Sequence, residues 1–429
     1  MISTDVLVIG AGFAGITAAR ELGNAGKDVI VLEARDRIGG RTWLEERMGK
    51  PLELGGTWVH WTQPYVWAEM TRYGIGTVQS PLPSKAWWYP EDAAVEIDPD
   101  ELISKMDQAN RDLTADARKY FENPFTPLAN SELDDIDHIT VKEKLDSIPM
   151  ADDVRVLMES FWALNFNGPI EDGAYSQALR WAALTNGDWS VCFEACATYK
   201  FEGGTKALIE AMAADVTGDI VFNSPVASIT TTEDGVIVTS KSGVEYSAKS
   251  VIVTVGLHVL GDISFTPPLS TSRSAAIDMG QAAKGVKVWI KVKGPVEPFV
   301  AFGKADWELN FFQADVETPD GNRLVIAFGP DQSRIDGNDI DAVTEVLHRL
   351  RPDLEVLAVE THDWIGDEYS QQTWPMHKPG FLTKHLADLQ KTDGRVILSG
   401  TDFANGWSAF IDGAIESGLT AARTVIDGK

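Results

Sequence analysis

The chain has 429 residues, with 44% apolar and 24% charged side chains, which is enough for two or three domains around a sizeable core. This composition excludes a disordered, fibrous or small disulfide-stapled protein. The 37 basic and 64 acidic residues give a net charge of −27. Because nucleic acids and anionic membranes attract basic surfaces, neither is expected as a partner. An acidic, solvated surface without a functional role is the simplest interpretation of this charge.

No targeting or membrane-spanning segment is expected. The first residues lead directly into the apolar run 6–9 without a basic stretch or cleavage site, and no stretch reaches the length needed to cross a bilayer. The expected location is therefore the cytoplasm. Cys192 and Cys196 lack the companion ligands of a metal site, so buried core thiols are expected. The seven histidines are scattered, and no metal is predicted.

The first forty residues predict one complete βαβ unit. Residues 5–9 have the apolar pattern of a buried parallel strand, and residues 13–25 have the periodicity of a helix that ends at Gly26. A second strand follows at 29–32, with Glu33 at its end.

A glycine-rich turn joins this strand to this helix. Gly10 permits the tight turn, Gly12 lets the backbone approach a pyrophosphate, and Gly15 permits close packing of helix and strand. Glu33 follows Gly15 by 18 positions and is placed to accept hydrogen bonds from ribose hydroxyls. The helix N-terminus offers free N–H groups to phosphates. Together these features predict a dinucleotide site.

Further glycine turns indicate a dinucleotide longer and more buried than NAD. Gly39 and Gly40 precede Arg41, whose cation suits a phosphate, and a third close-approach segment spans 54–58. Near the C-terminus, the strand pattern 396–398 leads into Gly400 and Asp402. Asp402 is expected to accept from a ribityl or ribose hydroxyl, and the helix after Ser408 to point its N-terminus at the ligand.

The middle of the chain differs from both ends. Helices are predicted at 154–163 and 175–183, strands at 220–222, 226–231, 236–239 and 251–255, and a final helix at 412–426. Residues 286–293 alternate apolar with Lys or Trp side chains, which predicts a half-buried strand with Lys287 on its polar face. Nucleotide-binding segments at both ends, with different material between them, indicate a discontinuous two-domain chain.

These segments resemble the flavin-containing amine oxidases, the family of the monoamine and polyamine oxidases, and look most similar to the bacterial hydroxynicotine oxidases. The resemblance is carried by residues 8–15, 31–41, 53–60, 202–207, 250–269, 285–293, 364–374 and 400–418. It implies FAD and an α/β fold in which a Rossmann-like FAD-binding domain is interleaved with an α+β substrate-binding domain. The expected boundaries are 1–75, 195–275 and 378–429 for the FAD domain, and 76–194 and 276–377 for the substrate domain.

The resemblance also implies roles for individual residues. Lys287 matches the family lysine that holds a water near flavin N5, and Trp364 matches the aromatic residue beside the flavin ring. Trp374 and Phe410 match the two aromatic residues that flank the substrate amine. Asn165 lies where the hydroxynicotine oxidases have a substrate-contacting Asn, although a helix-surface Asn is an equally good interpretation. The expected cofactor-binding residues are Gly10, Gly12, Ala14, Gly15, Glu33, Ala34, Arg35, Gly40, Arg41, Gly55, Gly56, Thr57, Val226, Trp364, Gly400, Asp402 and Ile411.

Two departures from the family pattern shape the expected chemistry. Thr373 stands where some members attach FAD to a cysteine, so the FAD is expected to be non-covalent. Thr57 follows Gly55 and Gly56, where amino-acid oxidases of this fold have an Arg that grips the substrate carboxylate. A 2-amino acid is therefore disfavoured as the substrate.

The expected reaction is oxidation of a primary or secondary amine to an imine, with an aryl or heteroaryl amine as the expected substrate. The resemblance implies hydride transfer to flavin N5 and reduction of O₂ to H₂O₂. One alternative is a flavin dehydrogenase or desaturase of the same fold with another acceptor. A second is a non-catalytic binding protein like the GDP-dissociation inhibitors. The oligomeric state is open, with a homodimer as one option.

Overall fold

The structure is a computed structural model that describes residues 2–428. Its strands, in chain order, are β1 (Ile2–Ser3), β2 (Val6–Ile9), β3 (Val29–Leu32), β4 (Leu44–Arg47), β5 (Lys50–Glu53), β6 (Thr77–Gln79), β7 (Lys85–Trp88), β8 (Val95–Ile97), β9 (Tyr199–Phe201), β10 (Asp219–Val221), β11 (Val226–Thr231), β12 (Val236–Ser240), β13 (Glu245–Ala248), β14 (Ser250–Val253), β15 (Ser264–Thr266), β16 (Val286–Val292), β17 (Phe299–Phe302), β18 (Phe311–Glu317), β19 (Arg323–Gly329), β20 (Val356–Thr361) and β21 (Val396–Leu398).

The α-helices are α1 (Phe13–Asn24), α2 (Pro64–Tyr73), α3 (Pro99–Thr114), α4 (Ala117–Tyr120), α5 (Asp134–Asp137), α6 (Val141–Asp146), α7 (Asp152–Phe166), α8 (Tyr175–Leu184), α9 (Trp189–Ala197), α10 (Gly204–Ala214), α11 (Leu257–Leu260), α12 (Thr271–Met279), α13 (Ile340–His348), α14 (Ala387–Gln390) and α15 (Ile411–Ile426). Short 3₁₀ segments lie at Gln332–Arg334 and Thr401–Phe403, and one π-helical turn lies at Leu382–Leu386.

A parallel sheet in the order β10–β3–β2–β14–β21 holds the predicted βαβ unit. All of β2 is buried, which is the pattern of a parallel strand covered on both faces. On one side, Ile16 of α1 and Ile415 of α15 share a core with Val8. The predicted strands and helices of this region are confirmed to within a few residues. Thus residues from the N-terminus, the middle and the C-terminus build one dinucleotide-type sheet.

Two other sheets complete the architecture. The sheet β1–β13–β12–β11–β15 packs beside the parallel sheet, and its Val226 and Val238 join a core with Leu7 and Val253. The larger sheet β20–β16–β19–β18–β17–β7–β8 draws its strands from 85–97 and from 286–361. Helices α3 to α9 cover that larger sheet and share its aromatic core. The predicted α/β fold with an interleaved α+β part is confirmed, while its residue boundaries stay a prediction.

The prediction that 286–293 is half-buried is wrong. Strand β16 is buried on both faces, and only Lys291 is partly exposed. The alternation itself is correct, because Val286 and Val288 pack in an apolar core on one side. On the other side, Lys287 and Trp289 meet the backbone of Glu53, which belongs to a segment more than 200 residues earlier in the chain. Polar alternation here marks an internal boundary and not a solvent-facing surface.

Candidate active site

A cavity of about 310 Å³ extends from the parallel sheet to the larger sheet. Ile9 and Leu32, at the carboxyl ends of β2 and β3, line one part, and Phe311 and Phe328, on β18 and β19, line the other. Ligands of open α/β sheets bind at the carboxyl ends of the strands. The cavity therefore joins the expected dinucleotide position to the face of the second sheet.

Most of the residues that the sequence predicted meet at this cavity. Those on its wall are Gly10, Gly12, Ala14, Glu33, Ala34, Arg35, Gly40, Arg41, Gly55, Gly56, Thr57, Asn165, Val226, Lys287, Trp364, Trp374, Gly400, Phe410 and Ile411. Gly15 and Asp402 lie behind the wall. Their individual roles stay predictions, but their assembly around one space comes from segments spread over the whole chain.

The turn between β2 and α1 has the backbone that its glycines predict. Gly10 has φ +100°, a region that glycine adopts without a steric penalty. A Cβ on Gly15 would lie 1.9 Å from the carbonyl oxygen of Gly10, so only glycine fits where the helix meets the strand. No side chain caps the N-terminus of α1 at Gly12. The N–H groups of the first helical turn are thus available to an anion such as a pyrophosphate.

Glu33 is fixed at the end of β3 with its carboxylate facing this turn. Its Oε2 accepts from the backbone N–H of Ala11 at 2.7 Å, and its Oε1 accepts from that of Arg35 at 2.9 Å. An ionised carboxylate has about four acceptor sites, so it retains capacity for ribose hydroxyls. These features, together with the uncapped helix, fit a bound dinucleotide.

Asp402 is engaged by the protein itself. Its Oδ1 accepts from Arg41 Nη2 at 2.6 Å, and its Oδ2 accepts from Leu257 N at 3.0 Å and from Gln372 Nε2 at 2.6 Å. Although burial opposes ionisation, the charge of Arg41 and these hydrogen bonds hold the pKa of Asp402 below its usual value. These contacts engage Asp402 behind the wall, and the expected hydroxyl contact stays a prediction. Asp402 holds Arg41, whose Nη1 also reaches the Thr373 carbonyl oxygen at 2.9 Å.

Lys287 projects from β16 to the cavity wall and is almost fully buried. Its Nζ donates to Glu53 O at 2.7 Å, to Gly55 O at 3.0 Å and to Thr57 Oγ1 at 2.7 Å. Burial lowers the pKa of Lys287 well below its usual range, against the opposing charge of Glu53. These three acceptors use all three ammonium protons. While they hold, the ammonium has no further proton to donate, and the water that the resemblance implies stays a prediction.

The predicted aromatic residues each contact a further aromatic ring. Trp374 lies 5.9 Å from Phe328, and Phe410 lies 5.3 Å from Trp181, both in edge-on geometry. Trp364 packs against Gly55 on the cavity wall and donates from Nε1 to the carbonyl oxygen of Leu54 at 2.9 Å. The cavity wall next to Lys287 is consequently aromatic on several sides.

Asn165 lines the cavity at the end of α7. Its Nδ2 donates to the Phe161 carbonyl oxygen at 2.7 Å, one turn earlier in the same helix. The backbone carbonyl oxygen of Asn165 accepts from Trp374 Nε1 at 3.2 Å, which fixes the indole. Asn165 is half-buried and borders the cavity, and a substrate contact stays a prediction.

Several wall residues were not predicted. These are mainly Trp58, Leu164, Trp181, Phe193, Cys196, Phe311, Gln313 and Phe328. The sequence analysis predicts no strands at 311–317 and 323–329, so it gives no position for the residues that β18 and β19 present to the cavity. Trp58 and Trp181 lie in the predicted close-approach segment 54–58 and the predicted helix 175–183. Their aromatic side chains are the one sequence signal that could have placed them at the site.

The cysteine prediction needs correction. Cys192 and Cys196 are half-buried and unpaired, not fully buried core thiols. Cys196 borders the cavity. The two thiols hydrogen-bond to each other, which confirms that they lie on one side of α9 as expected. This contact and burial raise the pKa of Cys192.

Charged groups on the cavity wall are unevenly distributed. The carboxylates Glu33, Asp262 and Glu368 belong to the dinucleotide side, where Glu368 pairs with Lys241. On the aromatic side, Lys287 is the only charged residue of the wall within residues 2–428. No cluster of His, Cys, Asp or Glu in the same described range could hold a metal ion.

The uncapped helix at the glycine turn and the carboxylate placed for a ribose fit a dinucleotide-binding protein, and the long cavity with its aromatic wall leaves room for a second ligand. Residues 13–426 match the family of flavin-containing amine oxidoreductases, and the chain belongs to this family. It is thus an amine-oxidising flavoenzyme with FAD as its cofactor, as the sequence predicted, and not a non-catalytic binding protein.

Individual relatives agree with this assignment. A pseudooxynicotine dehydrogenase from a Pseudomonas species is 36% identical over 420 residues, which cover 96% of this chain and 84% of that protein. An (S)-6-hydroxynicotine oxidase from Paenarthrobacter nicotinovorans is 29% identical over 432 residues, covering 98% and 99%. A solved structure of putrescine oxidase bound to putrescine covers 99% of both chains with a TM-score of 0.88 and 23% identity, which shows the shared fold. Within residues 2–428, no helix is long and apolar enough to span a membrane.

Proposed function

We propose that the enzyme oxidises a primary or secondary amine that carries an aryl or heteroaryl ring, with an imine as the product. The observation that carries this proposal is the aromatic wall near Lys287, formed by Trp374, Phe410, Phe328 and Phe311, with the wall carboxylates all at the other end. A polyamine needs carboxylates for its distant ammonium groups, because a buried unpaired charge is costly. An aromatic ring needs only this wall.

The residues around the glycine turns would hold the cofactor. The N-terminus of α1 and Arg41 suit the phosphates, Glu33 suits a ribose, and Trp364 and Lys287 border the far end. When bound, FAD supplies the redox chemistry by accepting a hydride from the carbon next to the amine nitrogen and passing the electrons to O₂, which becomes H₂O₂. The boundaries expected for the two domains are part of this proposal.

The chain's own contribution is orientation and exclusion of water. An apolar aromatic pocket disfavours the ammonium form of the substrate, so the amine reacts in its neutral form without a dedicated base. The rings of Trp374 and Phe410 restrict the orientation in which the amine binds. The bound amine is therefore held with its reacting C–H bond aligned for transfer. Lys287, held by three acceptors, has a fixed position at this end of the wall.

We propose that FAD is bound without a covalent link. Thr373 borders the cavity, and its Oγ1 accepts from Asn167 Nδ2 at 3.0 Å. Because this residue is a threonine, it offers no thiol for attachment. We also propose O₂ as the acceptor, with an acceptor other than O₂ as the alternative, since one similar protein is named an oxidase and another a dehydrogenase. Comparing turnover in air with turnover under argon plus an artificial dye separates these two.

A cytoplasmic location and the lack of nucleic acid or membrane partners complete the proposal, with a homodimer as one option for the oligomeric state. Two unpaired cysteines support a reducing compartment. The net charge of −27 argues against polyanionic partners. Light scattering and cell fractionation test these points directly.

The substrate proposal is tested by kcat/KM for an arylalkyl amine, its α-carboxylated analogue and putrescine. The carboxylated analogue is expected to react at least about 100-fold more slowly, because its carboxylate must be desolvated without a partner. Putrescine is expected to be similarly poor. Preference for the amino acid or for putrescine would contradict this view of the pocket while leaving the family assignment intact.

A further inference from the structure

Gln313 is a buried amide on the cavity wall without a hydrogen-bond partner in the protein. It lies within β18, is only 8% exposed and borders the cavity. Among residues 2–428, neither its side-chain nitrogen nor its oxygen forms a hydrogen bond. Buried side-chain amides are nearly always paired, so an exception of this kind requires an explanation.

The surroundings of Gln313 within the sheet offer it nothing to bind. Its partners across the neighbouring strands are Val300 and Ile326, which are apolar. Asp315, two residues further on the same face, is already paired with Lys200. Because β18 is bonded to β17 on one side and β19 on the other, the strand cannot turn this side chain towards solvent.

The other amides on this wall are already engaged. Asn165 Nδ2 donates to Phe161 O at 2.7 Å, and Asn167 Nδ2 donates to Thr373 Oγ1 at 3.0 Å. Gln313 is different because both its donor and its acceptor are uncommitted, and the open direction is the cavity. Phe311 precedes it by two residues on the same face of β18, so the amide lies at the border of the aromatic wall.

We propose that Gln313 selects substrates by hydrogen-bonding an uncharged polar group, such as a ring nitrogen, a hydroxyl or a carbonyl oxygen, at a position away from the oxidised amine. This inference rests on the proposed function and narrows its substrate class. An amide both donates and accepts, so a ring nitrogen or a carbonyl oxygen can accept from its N–H and a hydroxyl can pair with either end. A second ammonium group does not suit the site, because the carboxylate of Asp315, two residues along the same strand, is already paired with Lys200.

The test compares amines that differ in one polar atom, using the FAD-loaded enzyme. Phenylpropylamine and pyridylpropylamine have nearly the same volume, and only the pyridyl ring accepts a hydrogen bond. A phenylpropylamine that carries a benzylic hydroxyl provides a second polar probe. The wild-type kcat/KM is expected to favour the polar amines by about 10-fold or more, because the apolar ring leaves a buried amide unpaired.

Gln313→Met keeps the length and flexibility of the side chain and removes the amide. In this variant the polar-to-apolar ratio is expected to fall by about 10-fold, with phenylpropylamine turned over at least as well as before. Ile326→Leu, at the position opposite Gln313 on the adjacent strand and not among the residues that line the cavity, is the matched control and is expected to preserve the wild-type ratio. The ratio is informative because a general structural defect lowers kcat/KM for both substrates by the same factor.

Two results would overturn the inference alone: no polar preference in the wild type, or a preference that survives in Gln313→Met. The first of these needs no variant, so poor folding of the variant does not protect the inference. If none of the amines reduced the flavin, the proposed function would fail and the inference with it. The two failures are therefore distinguishable.

Discussion

Replacing Lys287 with Met separates the lysine's part in the reaction from its part in the fold. The change keeps the aliphatic stem and removes one buried cation with three hydrogen bonds. We expect one flavin half-reaction, reduction by the amine or reoxidation, to slow by about 100-fold, the effect typical of losing one preorganised charged donor. Stopped-flow spectroscopy measures the two half-reactions independently.

The structure indicates that this variant folds almost normally. Two of the three acceptors retain another donor: Glu53 O receives Trp289 Nε1 at 2.9 Å, and Gly55 O receives Thr57 Oγ1 at 3.1 Å. Burial of the charge is unfavourable, as the lowered pKa of Lys287 indicates, and the substitution removes this free-energy cost as well. The free energy of unfolding is therefore expected to change by no more than about 2 kcal/mol.

Lys291→Met is the matched control. Lys291 lies four residues further on the same face of β16, but its Nζ donates to Asp320 at 2.7 Å and to the Met48 carbonyl oxygen at 3.4 Å, outside the cavity. Its removal changes the net charge equally and is expected to leave both half-reactions unchanged. If Lys287→Met kept both rates within about 3-fold of the wild type, Lys287 would be a structural residue and this reasoning would be wrong.

Three further predictions address the cofactor, the turn and a buried carboxylate. Acid precipitation is expected to release all FAD into the supernatant, because Thr373 offers no thiol; flavin that stays with the polypeptide would contradict this. Gly15→Ala is expected to lower the unfolding free energy by at least about 1–3 kcal/mol and to weaken FAD binding, because its Cβ would lie 1.9 Å from Gly10 O; a normal melting temperature would refute the packing argument. Burial raises the pKa of Asp412 to about 7, so the folded state holds its proton more firmly than the unfolded state, and stability falls as pH rises from about 4 to 7. Asp412→Asn keeps an acceptor for the N–H groups of Tyr65 and Val66 and should match the wild type near pH 4 but exceed it at pH 8, by at most about 4 kcal/mol; parallel pH profiles in chemical unfolding would exclude this.

Local patterns predicted the dinucleotide part of the fold well. The turn containing Gly10 and Gly15 is specified by neighbours within about twenty residues, so a single sequence contains its whole signal. The strand around Lys287 shows the opposite case. Its alternation is local, but the burial of its polar face depends on the segment around Glu53, far away in the chain.

Long-range contacts explain the remaining gaps at the site. Asp402 is bound to Arg41, 361 positions away, and no spacing rule connects the two. Phe328 and Gln313 lie on paired strands whose role is set by sheet register and by what packs opposite, neither of which composition reveals. Sequence reasoning therefore predicted the type of site, while the aromatic wall and its free amide required the structure.

The most direct test of the central claim is an anaerobic titration of the purified yellow protein with an arylalkyl amine, followed by admission of air. The account predicts that the visible flavin absorbance is bleached by about one equivalent of amine and returns in air with formation of H₂O₂. Bleaching that air does not reverse would identify an acceptor other than O₂. A flavin spectrum unchanged by aryl amines but bleached by putrescine or an amino acid would contradict the proposed substrate site.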